Sequence, residues 1–271
     1  MTAFAWDPVQ YNRFGDERGR PFDDLLARVT PAGDPHLVVD LGCGPGQLTA
    51  SLLSRWPASS VIGVDSSAEM IVAAEQVRAG LPDAHARRWH LAQADLRDWA
   101  PPRPVDVLIS NATLQWVPGH LDLLAGWVAC LAPGGWLAVQ VPGNHEAPSH
   151  AILRELRHSS RWAPLVGPDV APGLDRRMAV AEPAAYLAAL AAAGCTTDVW
   201  ETTYLHVLPG EDAVLEWVRG TGARPTLAAL PEASRAEFEA EYGARLREAY
   251  PRREFGTVLP FRRIFVVARR P

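Results

Sequence analysis

The amino-acid pattern predicts an α/β protein whose mostly parallel sheet is covered by helices on both faces, with a helical insertion in its second half. Three observations carry this. Short apolar runs rich in β-branched residues alternate with helix-period segments over residues 36–141, the signature of strand–helix–strand units around a buried parallel sheet. The alternation gives way at 145–178 to a stretch rich in Pro, Arg, His and Trp. Between the first run and its helix, "DLGCGPG" spaces Gly42, Gly44 and Gly46 where the chain must turn sharply.

In chain order, "HLVVDL" (36–41) is a short buried strand. Residues 47–55 place Leu48, Leu52 and Leu53 on one helical face. "SVIGVD" (60–65) is the second strand and "SSAEMIVAAEQVRAG" (66–80) a helix, with Ser66 or Ser67 capping its first turn and Gly80 just past its end. "RRWHLAQADL" (87–96) and "VDVLISNATL" (105–114) are strands three and four. Residues 121–131 form a helix closed by "APGG", and "GWLAVQV" (135–141) is strand five. Beyond it, 151–160 and 183–193 read as helices and "TTDVWETTYLHVL" (196–208) as a strand. Residues 211–249 are helical with breaks at 220–225 and Pro231, and "RRIFVVAR" (262–269) is the last strand.

Of 271 residues, 48% are hydrophobic and 21% charged, an ordinary globular composition. No apolar run approaches the roughly 20 residues that span a bilayer. The first residues include acids and lack the apolar core of a secretory signal, so a cytoplasmic protein without membrane partners is expected. Cys43, Cys130 and Cys195 lack CxxC spacing and are read as small buried or semi-buried residues, with no disulfide framework and no metal site. Lysine is absent, so all 26 basic residues are arginine. That rules out a Walker A loop and a lysine Schiff base, and it makes any arginine cluster partly a matter of composition. The net charge of −5 argues against a nucleic-acid partner.

The glycine spacing narrows the ligand. A dinucleotide loop needs GxGxxG so that a pyrophosphate rests on the helix N-terminus. Counted from Gly42 the third glycine falls on Gln47, and from Gly44 on Thr49, so the register fails. Asp40, directly before the turn, suits an ammonium group and not a pyrophosphate. Asp65 ends strand two about 20 residues on, where an acid meets ribose hydroxyls in doubly wound nucleotide folds. Taken alone, Asp65 and Asp95 are equally well explained as solvated strand ends.

With "VVDLGCGPG", "GVDSSAEMI", "AQADL" and "SNATLQW" in this order, the chain resembles the class I S-adenosylmethionine-dependent methyltransferases. The resemblance implies a Rossmann-like, doubly wound, mostly parallel seven-stranded sheet with a reversed final hairpin. It implies S-adenosylmethionine as cofactor, S-adenosylhomocysteine as product and no metal. The cofactor-binding positions it implies are Tyr11, Asp40, Gly42, Gly44, Gly46, Asp65, Ser66, Met70, Ala94, Asp95, Leu96 and Asn111. For Tyr11, packing of the N-terminal segment onto the sheet is the other reading.

Segments outside these motifs, "AFAWDPVQYNRFGDERGRPFDDLLARV", "LAVQVP", "WETTYLHVLP", "WVRGTGARPTL" and "FVVARR", resemble the trans-aconitate 2-methyltransferase family. "NHEAPSH" (144–150) departs from that family's pattern and leaves the surroundings of His145 open. The resemblance implies one methyltransferase domain over 1–271, with lid or substrate segments at about 1–30, 144–180 and 205–260. It implies methyl ester formation on a small polycarboxylic acid by a monomer or weak homodimer. A carboxylate is already ionised at pH 7, so its attack needs no general base. It needs in-line alignment and loss of water, for which Gln115 and Trp116 are the positioning candidates. Bidentate arginines suit the non-reacting carboxylates. Candidates are Arg18, Arg20, Arg224 and Arg262, with Tyr204 and His206 adding hydrogen bonds. A solvated surface charge is the competing reading for each arginine. Other readings are a methyltransferase for another small acid or natural-product acceptor, a cofactor-holding protein without turnover, and a nicotinamide dehydrogenase.

Overall fold

The computed structural model describes residues 15–167, 175 and 180–271, with side chains from residue 19 onward. Its strands are β1 (Leu37–Leu41), β2 (Ser60–Asp65), β3 (Trp89–Gln93), β4 (Val105–Asn111), β5 (Leu131–Pro142), β6 (Thr196–Leu208) and β7 (Thr257–Arg269). They form one seven-stranded sheet in the order β3-β2-β1-β4-β5-β7-β6. β1 to β5 pair in parallel, with Val38 opposite both Val61 and Val107. β7 runs against β5. The Gly134 N–H meets Arg270 O at one end and the Gly143 N–H meets Arg262 O at the other, at 3.1 and 2.9 Å. This is the doubly wound, mostly parallel class with a reversed final strand that the sequence implied.

β1 is buried at every position, as a central strand covered on both faces must be. Asp106 fixes its start by accepting the N–H groups of His36 and Leu37, each at 2.8 Å. The helices of the first half are α1 (Gly15–Leu26), α2 (Gln47–Arg55), α3 (Ala68–Ala79), α4 (Asp83–Ala86) and α5 (Leu121–Cys130). Those that follow are α6 (Pro148–His158), α7 (Ala163–Val166), α8 (Pro183–Ala192), α9 (Ala213–Arg219), α10 (Arg224–Ala229) and α11 (Glu232–Ala249). Ser67, not Ser66, caps α3, its hydroxyl accepting the Met70 N–H at 3.2 Å.

Several expected boundaries shift for local reasons. The "APGG" turn lies inside β5 as a bulge: Val105 pairs with Leu131 and Val107 with Trp136. β4 stops at Asn111 because Ala112 takes φ 51°, and Leu114–Trp116 then form a single 3-10 turn. Pro225 sits in the first turn of α10 and not in a break, since no N–H is required of it there.

The chain divides into two compact units. The first comprises the chain up to Val141 with Ala181–Glu201 and Ile264–Pro271; the second is Pro142–Val180 with Thr202–Arg263. In the first unit the sheet order reverses between β1 and β4. In doubly wound sheets the crevice at the carboxyl ends of the strands beside such a switch point takes the ligand. Among the described residues no helix is long and apolar enough to cross a membrane.

The segment after β4 is held from its far end by a buried pair. His120 Nδ1 donates to Val117 O at 3.0 Å, so Nε2 accepts the Tyr186 hydroxyl at 2.6 Å, and the rings stack at 5.6 Å. Burial lowers the pKa of His120 and keeps it in this neutral, accepting form. Tyr186→Phe should leave a buried nitrogen unpaired. Denaturant unfolding is expected to show a loss of about 1–3 kcal/mol; an unchanged midpoint would refute the pairing.

Candidate functional site

The end of β1, its glycine turn and the end of β2 form the candidate cofactor site in the first unit. The N–H groups of Gly42 and Cys43 both donate to Val64 O, at 2.7 and 3.0 Å, which ties the turn to β2. Asp65 closes the same loop. Its Oδ2 accepts the Gly44 N–H and its Oδ1 the Ser67 N–H, each at 2.9 Å. Asp40 is only 3% exposed and accepts the Thr49 hydroxyl at 2.6 Å, linking β1 to the first turn of α2.

Two carboxylates are thus drawn into one poorly solvated place. Burial pushes Asp40 up to about 6; the Thr49 bond opposes this and the charge of Asp65 adds to it. Burial also raises Asp65, against the lowering effect of its backbone donors. Among the described residues, the donors that reach these two carboxylates (Thr49, Gly44 and Ser67) are uncharged. A pyrophosphate here would add further negative charge beside them, which their raised pKa values disfavour.

The three glycines serve different ends. A Cβ on Gly42 (φ 77°) would lie 2.2 Å from the Thr113 side chain, and one on Gly46 (φ 86°) 2.7 Å from Trp89. Both are demanded by packing within the protein. Among the described residues, Gly44 (φ 56°) has nothing within 4 Å of its missing Cβ, so of the three it is the one that packing does not demand.

The remaining candidates of this unit stand at neighbouring strand ends. Met70 is buried on α3, Ser66 is exposed, and the Ala94 N–H donates to Asp65 O at 3.0 Å. Asp95 is gripped by Arg97, whose backbone N–H and Nε each reach Oδ1 at 2.9 Å while Nη2 takes Oδ2; this holds its pKa down. Leu96 is 8% exposed. Asn111, Gln115 and Trp116 line the turn after β4, where Gln115 Nε2 donates to Ala112 O at 2.7 Å. Arg20 on α1 is a surface residue 3.8 Å from Asp24, and the Arg18 side chain and Tyr11 lie outside the described residues.

The second unit holds the other substrate candidates. Tyr204 and His206 share the buried face of β6, rings 6.2 Å apart, and His206 stacks on Trp217 at 4.8 Å. The Arg263 guanidinium lies 4.7 Å over Phe261, and Arg262 Nη1 donates to Gly143 O at 3.1 Å. Arg224 opens α10, half-buried. Arg157 is 3% exposed. It bridges Asp175 and Thr226 Oγ1, the latter at 3.2 Å, and so joins α6 to the helix that carries Arg224. Burial, with the charges of Arg154 and Arg157 nearby, pushes His150 down to about 4, so it is neutral.

Known proteins share this sequence and architecture. A family model described as "Methyltransferase domain" matches residues 39–137. A trans-aconitate 2-methyltransferase of Streptomyces coelicolor is 55% identical, covering 100% of this chain and 88% of the relative. Counterparts of the same name from Streptomyces avermitilis and Mycolicibacterium gilvum are 55% and 49% identical, each covering 97% of this chain. The chain belongs to the trans-aconitate 2-methyltransferase family. Among solved structures, the phosphoethanolamine N-methyltransferase 2 of Haemonchus contortus, in complex with S-adenosylhomocysteine, superposes with a TM-score of 0.55 at 17% identity. The match covers 93% of this chain and 52% of that one. SpnF, a 4+2 cyclase, superposes with a TM-score of 0.55 at 18% identity, over 93% of this chain and 80% of its own. The fold is therefore shared beyond methyl transfer, and the family assignment rests on the relatives.

Within this family member, sequence reasoning passed over Thr49, Arg97, Arg157 and Trp217. Thr49 had a visible signal: a hydroxyl in the first turn of α2, nine residues after Asp40. Arg157 had none, because its partners come from residues 175 and 226 and only the fold brings them together.

Burial makes Asp40 bind its proton more tightly in the folded chain than an ordinary aspartate does in the unfolded one. Its burial penalty is therefore fully present above pH about 6 and fades as the pH falls through that value. Asp40→Asn keeps an oxygen for Thr49 and removes the charge. The ligand-free variant should be more stable than wild type by about 1–3 kcal/mol at pH 7, with the gap shrinking toward pH 4. A variant less stable at pH 7 would contradict this electrostatic account.

Proposed function

We propose that the chain transfers the methyl group of S-adenosylmethionine to a carboxylate of trans-aconitate, giving a monomethyl ester and S-adenosylhomocysteine. The observation that carries this is the 55% identity to a trans-aconitate 2-methyltransferase over the whole chain, second unit included. The first unit supports the cofactor half: two desolvated carboxylates, the open space at Gly44 and uncharged donors fit a ligand that brings its own positive charge.

Asp40 is read as the counter-charge for the cofactor's cationic end and Asp65 as the acceptor for its ribose hydroxyls. Asp95, held by Arg97, keeps one lone pair of Oδ2 for the adenine amino group, beside Ala94 and Leu96. Tyr11, Ser66, Met70 and Asn111 complete the set by resemblance. The sulfonium supplies an activated methyl group. The protein's share is to bind, align and dry. No side chain has to take a proton, because the attacking carboxylate is ionised at neutral pH.

The acceptor is read as held by Arg18, Arg20, Tyr204, His206, Arg224 and Arg262, with the buried Arg157 steadying the helix of Arg224. The enzyme is proposed to act as a monomer or weak homodimer on a small molecule in the cytoplasm, without nucleic acid. The stacked rings of Tyr204, His206 and Trp217 favour one second reading, an acid with a bulkier apolar body.

Purified protein should convert trans-aconitate with labelled cofactor to a base-labile methyl ester. Transfer to a hydrophobic acid with none to trans-aconitate would establish the second reading instead. Arg224→Ala is expected to raise KM for trans-aconitate about 10- to 100-fold, the worth of a charge-assisted hydrogen bond, with a smaller change in kcat. An unaltered KM would remove Arg224 from the acceptor site.

A further inference from the structure

We propose that the side-chain oxygens of Gln115 and Asn111 form a neutral acceptor pair for the positively charged sulfur of the methyl donor, so that this site prefers the sulfonium to the thioether product. The proposal rests on the methyl-donor reading above and assigns these two residues a selective role within it.

Gln115 Oε1 and Asn111 Oδ1 are buried acceptors that meet no donor among the described residues. A buried acceptor left unpaired is costly and needs a reason. For Gln115 the identity of the orphaned atom is fixed: its Nε2 donates to Ala112 O at 2.7 Å, which leaves Oε1 as the free end. The residue is 8% exposed, so bulk water does not satisfy it.

The backbone bends between the two residues. Ala112 adopts φ 51°, a left-handed conformation that a residue with a Cβ holds only when its surroundings impose it. Thr113 Oγ1 donates to Gly42 O at 3.3 Å, and Gly42 has no room for a Cβ beside Thr113. The turn after β4 is thereby seated against the glycine turn after β1, at the switch point of the sheet.

The chemistry of the pair suits a sulfonium. An amide oxygen attracts a positive centre as a dipole, and the attraction vanishes when the sulfur becomes a neutral thioether. A carboxylate here would be a third acid beside Asp40 and Asp65, whose pKa values are already raised, and it would repel an anionic acceptor. A neutral oxygen avoids both penalties. Because sulfur loses its charge during transfer, the pair binds the reactant more tightly than the product, and its effect is to help fresh donor displace spent cofactor.

Calorimetric titration of the full chain with S-adenosylmethionine and with S-adenosylhomocysteine tests this. Gln115→Leu should weaken sulfonium binding about tenfold and thioether binding less than twofold; Asn111→Leu should act in the same direction. Gln115→Glu, which restores an oxygen, should recover the sulfonium preference while raising KM for trans-aconitate. If both leucine variants weaken the two ligands equally, or neither, the proposal is overturned. Thioether affinity close to wild type doubles as the check on folding, and if one leucine variant fails to fold the other decides. A wild type that makes no ester, with the preference still lost in the leucine variants, would sink the acceptor reading and leave this one standing.

Discussion

The arrangement turns on two poorly solvated carboxylates, the buried Asp40 and the half-buried Asp65, whose charges disfavour each other. Asp40 and Asp65 lie at the carboxyl ends of adjacent parallel strands, Asp40 in register with Gly63 two residues before Asp65, and the Gly44 and Ser67 N–H groups go to Asp65. Much else follows from accommodating them. Thr49 must sit on the inward face of α2, Ser67 must turn its N–H toward Asp65, and Gly42 and Gly46 must lack side chains so that the turn closes. The ligand-free state bears the cost, which a cationic ligand relieves. Placing such strain where binding releases it is a recurrent way to spend fold stability on affinity.

The second unit sets its arginines differently. Arg157 is spent on structure, clamped by Asp175 and Thr226. Arg262 donates to the Gly143 carbonyl, and Arg263 lies over the Phe261 ring. His150, kept neutral by burial and by its basic neighbours, adds no further charge to a crowded region. Fold alone does not give the family, since a cyclase shares the architecture. Identity over the whole chain does.

The first unit was largely legible from the sequence because its information is local. Strand periodicity, a failed dinucleotide register and an acid at each strand end are all readable within a few residues, and β2, α2 and β6 have the expected limits. What escaped depended on distance in the chain. β5 swallows the "APGG" turn because its neighbour β4 supplies a register for a bulge, and no local pattern announces that. The roles of the glycines were legible only as a group: that Gly42 answers to Thr113 and Gly46 to Trp89, while Gly44 faces open space, requires knowing what packs on the turn. The Asp95–Arg97 clamp was within reach, two residues apart, but an exposed pair of opposite charges carries no signal of its own.

The central claim is that Asp40, raised by burial and by the charge of Asp65, is the counter-charge for a cationic ligand. Its most direct measurement is proton linkage: titration of wild-type protein with S-adenosylmethionine near pH 6 in buffers of different ionisation enthalpy. The account predicts net proton release on binding and an affinity that climbs as the pH rises from 5 to 7, because the bound cation pulls Asp40 below the value of about 6 it holds when free. Proton uptake, or an affinity flat across that range, would contradict it.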